Sequence, residues 1–170
     1  MIVLETDRLR LRWLSAVDDA AFILRLLNDE SFLRYIGDRG VRTLEDAERY
    51  IADGPVDSYA QNGFGLYCVD LVETGEATGI CGLVKRPSLA DPDIGFALLP
   101  EFRAKGLALE AARAVLEHAH VELGLRRILA IVAPGNERSE RLLLKLGMRY
   151  ECRIRMNDEK TPLQLFVSDA

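Results

Sequence analysis

The sequence predicts an α+β fold built on one central sheet of about seven strands with helices packed against it. Three observations carry this. Arg8–Leu14 (RLRLRWL) alternates strictly between charged and apolar residues, the period of a half-buried strand. Leu107–Leu123 (LALEAARAVLEHAHVEL) is a long run of helix formers with apolar residues at helical spacing. The segments between and around them follow the order strand, helices, three strands, helix, strand, helix, two strands. No repeat, low-complexity tract or linker interrupts that order, so residues 1–170 are expected to form a single domain.

In the first strand Leu9, Leu11 and Trp13 are expected to face the core, and Arg8, Arg10 and Arg12 to form a solvated or salt-bridged face. Ser15-x-x-Asp18 has the spacing of a helix-starting capping box, followed by Phe22, Ile23, Leu26 and Leu27 on one side of a helix. A short helical turn over Ser31–Tyr35 is broken by Gly37. Thr43-x-x-Asp46 starts another helix with Leu44, Ala47, Tyr50 and Ile51 at helical spacing, and Gly54-Pro55 is expected to break it before a second piece through Gln61. Phe64–Leu71 and Ala77–Lys85 read as a hairpin across Glu73-Thr74-Gly75-Glu76. The strand Asp93–Leu99 is closed by Pro100, which has no N–H to give a ladder. After the long helix Gly124 supplies a stop, Arg127–Val132 reads as a buried strand, and Glu137–Leu146 as an amphipathic helix ending at Gly147. Met148–Arg155 and Leu163–Val167 close the sheet around Asn157-Asp158-Glu159.

Composition narrows the function. The chain has 170 residues, 49% apolar and 29% charged, with a net charge of −5. That balance argues against a nucleic-acid binder working through a broad basic surface, and it suits a cationic amine substrate. No apolar run reaches the roughly 18 residues of a membrane span. MIVLETDRLRLRW lacks a signal-peptide layout, so a cytoplasmic protein is expected. Cys68, Cys81 and Cys152 are expected to be reduced core residues, and His118 and His120, two apart on a helix, point to different faces and make no metal pair.

The stretch from Asp93 to Glu110 carries the chemistry. A strand, a loop with Arg103, Lys105 and Gly106, and a helix start make an anion site, because the first turn of a helix leaves N–H groups unpaired at the positive end of the dipole. Neither GxxxxGK[ST] nor GxGxxG occurs, which sets aside a P-loop and a dinucleotide fingerprint. Arg103-x-x-Gly106-x-Ala108 resembles the pyrophosphate loop of the GNAT superfamily of acyl-CoA-dependent N-acyltransferases. One strand later, Pro134-x-Asn136-x-x-Ser139 and Lys145-x-Gly147-Met148 resemble that family's second and third signatures. Thr6-x-Arg8-Leu9-x-Leu11-Arg12, Ile94-Gly95-Phe96, Glu110-Ala111 and Gly124-Leu125-Arg126-Arg127-Ile128 are similar to the branch acetylating ribosomal-protein N-termini.

The resemblance implies a mixed, mostly antiparallel sheet and acetyl-CoA as co-substrate, with no metal. It implies that backbone groups of Phe96, Ala97, Leu98 and Leu99 pair with the pantetheine arm. The N–H groups around Arg103, Ala104, Lys105, Gly106, Leu107 and Ala108 would hold the pyrophosphate. Asn136 would contact the pantetheine and Ser139 would sit near the thioester sulfur. Many members carry a tyrosine where this chain has Leu143, so Ser139 becomes the candidate donor to the leaving thiolate. Asp93, at the start of the central strand, ranks first as general base, with Glu101 second; Glu110 reads as a structural helix-surface acid pointing away from the loop. The implied reaction is attack of an amine, in first place a protein N-terminal α-amine, on the acetyl thioester. Alternatives are a small-amine acceptor such as a polyamine or aminoglycoside, a non-catalytic acyl-CoA-binding domain, and a plain interaction module. A monomer or a homodimer fits the family equally.

Overall fold

The chain opens on two strands where the alternating pattern predicts one. In the computed structural model, which describes residues 1–156 and 160–170, β1 (Ile2–Glu5) folds back antiparallel onto β2 (Leu9–Arg12). The Thr6 hydroxyl holds the turn between them, accepting from the Leu9 amide at 3.1 Å. Ile2-Val3-Leu4-Glu5 is short and does not alternate, which hides it from a period-two reading. Arg8 falls in the turn and Trp13 beyond the strand. Arg8 is thereby released from the face alternation that governs Arg10 and Arg12.

The sheet has eight strands among the described residues, in the order β1-β2-β3-β4-β5-β6-β8-β7. The others are β3 (Leu66–Leu71), β4 (Ala77–Val84), β5 (Asp93–Leu98), β6 (Arg127–Val132), β7 (Arg149–Ile154) and β8 (Leu163–Asp169). Every pairing is antiparallel except that of β5 with β6. The mixed, mostly antiparallel sheet is therefore as expected, with one strand more than the expected seven. The turn expected at Asn157-Asp158-Glu159 lies outside the described residues.

Among the described residues six α-helices flank the sheet: α1 (Ala20–Leu27), α2 (Glu30–Tyr35), α3 (Leu44–Ile51), α4 (Asp57–Asn62), α5 (Leu107–Val121) and α6 (Glu137–Lys145). Thr43 and Asp46 close the expected capping box on α3. Ser15 and Asp18 do not cap α1; they close a turn that precedes it, and the helix starts after Asp19 without a side-chain cap. Gly54-Pro55 separates two helices, as expected, but the helical path is not interrupted. Ala52–Val56 forms a π-turn between α3 and α4, a wider loop that admits a proline without the i−4 clash. Leu44, expected on the apolar side of α3, is exposed, while Ala47 and Ile51 are buried.

The alternation of the strands divides the core. Leu9, Leu11, Tyr67 and Val69 face α5, whose small Ala111, Ala112 and Ala119 bring the helix close to the sheet. Cys68, Ile80 and Leu99 face the other way, onto α1 and α3. Each buried Leu, Ile or Val contributes about 1.5–3 kcal/mol against exposure, so the sheet is held from both faces. Cys68 and Cys81 lie in this core as expected, but Cys152 on edge strand β7 is exposed. The arginine face is salt-bridged: Arg10 pairs with Glu5, and Arg12 spans Asp19 and Asp70.

Candidate functional site

Strand β5 is zipped to β4 along its length but meets β6 at one register pair, Asp93 with Leu129. Beyond that point the strands part, and a cleft of about 1360 Å³ opens between them. Residues 94–98 line one side of the opening and residues 130–136 the other.

The register decides which backbone groups face the opening. The Leu99 amide donates to the Thr78 carbonyl at 2.8 Å. In an antiparallel ladder residues alternate between bonding the partner strand and turning away from it. Ala97, Gly95 and Asp93 therefore bond to β4, and Phe96 and Leu98 turn their N–H and C=O toward β6. On the far side the Ala170 amide donates to the Arg126 carbonyl and the Leu129 amide to the Pro92 carbonyl. The same count turns Ile131 into the cleft. The expected backbone quartet is thus corrected to a pair: Phe96 and Leu98 present their amides, whereas Ala97 is spent on β4. Leu99 is spent as well, since its carbonyl accepts from Phe102, and its side chain is buried on the α1 face. Gly79 on β4 permits this tight zipping, because a Cβ there would stand 2.1 Å from the Ala97 carbonyl oxygen.

The loop after β5 ends at the start of α5. Ala104 (φ 60°) and Gly106 (φ 77°) both take left-handed backbone conformations, a geometry in which successive N–H groups converge on an anion. No side chain caps α5, so the amides of its first turn lack an internal partner. Ala104, Gly106, Leu107 and Ala108 line the cleft.

The charged side chains of this loop are placed otherwise than expected. Arg103 does line the cleft, but its guanidinium is committed to protein groups. It donates to the Leu98 carbonyl (3.1 Å) and the Ser31 hydroxyl (3.4 Å), and pairs with Asp29 at the head of α2. Lys105 is exposed and outside the lining, its ammonium 5.9 Å from the centre of the Phe102 ring. Arg103 thereby acts as a bolt that fixes α2 against the end of β5.

Glu110 does not point away. Its carboxylate accepts from the Thr6 hydroxyl (2.5 Å), the Arg8 amide (3.1 Å) and Arg8 Nε (2.7 Å), and Arg8 Nη1 donates to the Lys105 carbonyl at 2.9 Å. Burial pushes its carboxyl up, but the hydrogen bonds from Thr6 and Arg8 outweigh that and hold it below the ordinary range. The first turn of the chain is thereby clamped to the anion loop.

At the second helix, Asn136 caps α6 by accepting from the Ser139 amide at 3.3 Å. Asn136 and Ser139 both line the cleft. Leu143, one turn further along the same helix face, is fully buried and supplies no donor. Asp93 lies where β5 and β6 meet, 1% exposed, and accepts from Arg86 Nε at 2.9 Å. Burial pushes its carboxyl up, and Arg86 pulls it partly back. Glu101, the second candidate base, is outside the cleft. It is tied to Arg25, which holds its carboxyl low, so it is a poor proton acceptor. The structure thus gathers Asp93, Phe96, Leu98, the anion loop, Asn136 and Ser139 around one opening.

Two parts of the site had no sequence signal. Arg86 stands seven residues from Asp93 in a loop with no motif. The wall made by α2 and the segment after it, from Glu30 to Arg39, is legible as a short helical turn but carries no motif that ties it to the site. Among the described residues no group of three or more His, Cys, Asp or Glu side chains could hold a metal, and no helix is long and apolar enough to cross a membrane.

Proteins of similar sequence and fold are known. The chain matches the family described as Acetyltransferase (GNAT) domain over residues 8–149. It is 34% identical over 151 residues to the uncharacterized N-acetyltransferase YoaA of Bacillus subtilis (strain 168), covering 88% of this chain and 84% of that protein. The acetyltransferase (GNAT family) from Bacillus anthracis superposes with a TM-score of 0.80 at 26% identity, covering 99% of this chain and 98% of that one. The ribosomal-protein-S5-alanine acetyltransferase from Vibrio fischeri superposes with a TM-score of 0.80 at 18% identity, over 99% and 96% of the two chains, a likeness of fold.

Proposed function

Because the chain belongs to the GNAT acetyltransferase family and so takes its acetyl group from acetyl-CoA, we propose that it delivers that group to the α-amine at the N-terminus of a protein, by direct attack and without a covalent enzyme intermediate. The observation that carries this reading is the parting of β5 from β6, with the N-termini of α5 and α6 beside the opening. An extended amide chain can add to the free edge of β5 at Phe96 and Leu98, while the uncapped start of α5 takes the attached phosphates.

Acetyl-CoA supplies an activated thioester carbonyl; the chain's own groups do the rest. The Leu98 amide, turned into the cleft, donates to the carbonyl oxygen as charge builds on it. Asp93 accepts the proton that the attacking amine sheds, directly or through one water, and its raised pKa makes it a stronger base than an ordinary carboxylate. Ser139 donates to the sulfur as the C–S bond breaks. A thiolate of pKa near ~8.5 is a fair leaving group, so a hydroxyl donor suffices. An α-amine with a pKa near ~7.7–8.0 is partly neutral at pH 7, whereas lysine at ~10.4 is not. A modest base therefore favours the α-amine. The fold likeness to the Vibrio fischeri ribosomal-protein acetyltransferase supports the same acceptor class.

The test is a calorimetric titration with acetyl-CoA, with ATP as control, followed by thiol release and peptide mass spectrometry on a panel of N-terminal peptides. Micromolar-range acetyl-CoA binding with ATP silent, and α-N-acetylated peptide, is the expected result. Binding without acetylation of any peptide, together with turnover on a small amine, would overturn the N-terminal acceptor.

A further inference from the structure

Strands β4 and β5 hold three glycines, Gly79, Gly82 and Gly95, and the fold needs only two of them. A Cβ on Gly79 would stand 2.1 Å from the Ala97 carbonyl oxygen, and one on Gly82 would stand 2.1 Å from the Gly65 carbonyl oxygen. A Cβ on Gly95 would meet one atom within 4 Å, Leu66 Cδ2 at 3.6 Å, which is ordinary contact. Nor does Gly95 take a left-handed backbone conformation. Glycine inside a strand costs conformational entropy and packs nothing. Alanine would fit here and hold the strand better, so internal packing does not account for Gly95. Close approach of something entering from outside does account for it, and Gly95 lines the cleft.

The side on which Gly95 lacks a side chain is fixed by its neighbours. Ile94, Phe96 and Leu98 pack in the core under α5, together with Leu143 of α6. Asp93, Gly95 and Ala97 therefore face the other way, where Ala97 and Leu66 pack against the α1 and α3 group. Across the gap Leu129 and Ile131 face that way too, in a separate group with Leu165 and Val167. The apolar packing of this face is thus split in two, and the split runs between Ala97 and Ile131, over Gly95. Asp93 pairs with Leu129 at the head of the split, two residues and about 7 Å from Gly95. The result is an apolar hollow walled by Leu66, Ala97 and Ile131, opening beside Asp93 on the face away from α5 and α6.

Resting on the acetyl-transfer reading above, in which Asp93 takes the proton of the attacking amine, we propose that the side chain of the acceptor's first residue enters the hollow at Gly95. Gly95 is then a specificity-determining residue that selects an aliphatic first residue. An α-amine within reach of Asp93 carries its side chain two bonds away, which is the neighbourhood of Gly95. The coenzyme follows the backbone edge at Phe96 and Leu98 and the starts of α5 and α6, so the opposite face is left to the acceptor. Leu66, Ala97 and Ile131 offer no side-chain hydrogen bond. A charged or amide side chain would lose its water there without a partner, whereas an aliphatic one gains by burial.

The experiment measures kcat/KM for peptides identical except for Gly, Ala, Leu or Asn at the first position, with wild type, Gly95→Ala and Gly95→Val. The wild type is expected to rank Leu over Ala over Gly, with about tenfold between Leu and Gly and about tenfold between Leu and its near-isostere Asn. Gly95→Ala narrows the span from Leu to Gly and Gly95→Val inverts it, because the added methyl groups occupy the hollow. Thermal melts check the premise: Gly95→Ala is expected to raise Tm by roughly 1–3 °C, and a clear fall would show that the fold does need this glycine. A second arm replaces acetyl-CoA by propionyl-CoA and butyryl-CoA. If the variants change the acyl-length order and leave the peptide order as it was, the hollow holds the acyl chain and the proposal falls. A peptide order that neither variant changes, or equal rates for Leu and Asn, overturns it while α-amine acetylation stands. Turnover on a small amine with no peptide acetylated overturns the N-terminal acceptor and this proposal with it. Absence of acetyl-CoA binding in calorimetry overturns the acetyl-transfer reading instead.

Discussion

Glu110→Gln is the substitution with the most to say about how the anion loop is held. The Glu110 carboxylate takes three hydrogen bonds from Thr6 and Arg8 and a close ion pair with Arg8 Nη2 at 2.6 Å, while Arg8 holds the Lys105 carbonyl. Glutamine keeps the shape but loses the charge, and its NH₂ must face a donor. Hydrogen bonds to charged groups are worth about 1.5–3 kcal/mol. The Arg8 side chain is half exposed, so solvent screening lowers the expected loss to about 1–2 kcal/mol. For a chain of this length that is a fall in Tm of roughly 3–6 °C. The sign with pH follows from the direction of the shift. Glu110 has its pKa depressed in the folded state, so its contribution is present above the unfolded value and is lost as pH falls through the folded one. The gap between wild type and variant is therefore full at neutral pH and closes on acidification. Freed of its tether, the loop must be ordered by the ligand, and acetyl-CoA affinity is expected to fall by about two- to tenfold. Melts across pH and calorimetry with acetyl-CoA measure both effects. Arg10→Ala, which breaks the exposed pair with Glu5, is the matched control and is expected to move neither. A Glu110→Gln protein with wild-type Tm and wild-type affinity would show the clamp to be ornamental and refute the reasoning.

Three further outcomes follow from the same geometry. Ser139→Ala is expected to lower kcat by about ten- to a hundredfold, less than a full general-acid effect because the thiolate leaves readily, with acetyl-CoA affinity unchanged; unchanged turnover removes Ser139 from the chemistry. Asp93 as base must be deprotonated to act, so kcat rises with pH through its pKa. Arg86→Gln, by removing the charge that pulls the buried carboxyl down, is expected to move that acid limb to higher pH, and Asp93→Asn to abolish it. A limb that stays in place in Arg86→Gln assigns it to the acceptor amine instead. Arg12→Met strands the buried Asp19 and Asp70, which Arg12 meets at 2.9 and 2.6 Å, at a cost of about 3 kcal/mol and a Tm drop on the order of 10 °C; wild-type melting would mean that the two carboxylates find other partners.

What could be read from the chain and what could not divides along sequence distance. The strand–loop–helix of the anion site, the capping box on α3, the Asn136 cap and the hairpin at Gly75 are all written within a few residues, and each was legible. The β1–β2 turn was hidden because Thr6 and Arg8 find their partner in Glu110, across more than a hundred positions. The tie of Arg103 to α2 is hidden for the same reason: nothing near it in sequence announces Asp29. A strand pattern gives periodicity but not phase, so it does not separate Leu99 and Ala97 from the residues that face the cleft. The phase is fixed by the Leu99–Thr78 hydrogen bond, a tertiary fact.

That phase also explains why the cleft sits where it does. A strand in the middle of a sheet ordinarily spends its backbone groups on both neighbours, and a buried group left without a partner costs about 1–3 kcal/mol. At Phe96 and Leu98 the β6 side is withheld. There the strand is kept in place by β4, through a ladder tight enough to need glycine at Gly79, and by Arg103, which takes up the Leu98 carbonyl. Strand β6 is held open from its other edge by six consecutive register pairs with β8. Each flank of the gap is held by its own ladder, so the amides in the gap face whatever enters. A substitution that loosened β4 from β5 would let β5 swing toward β6 and satisfy those amides internally. Ligand affinity would then fall before stability did, which is the mark of a gap maintained by its surroundings.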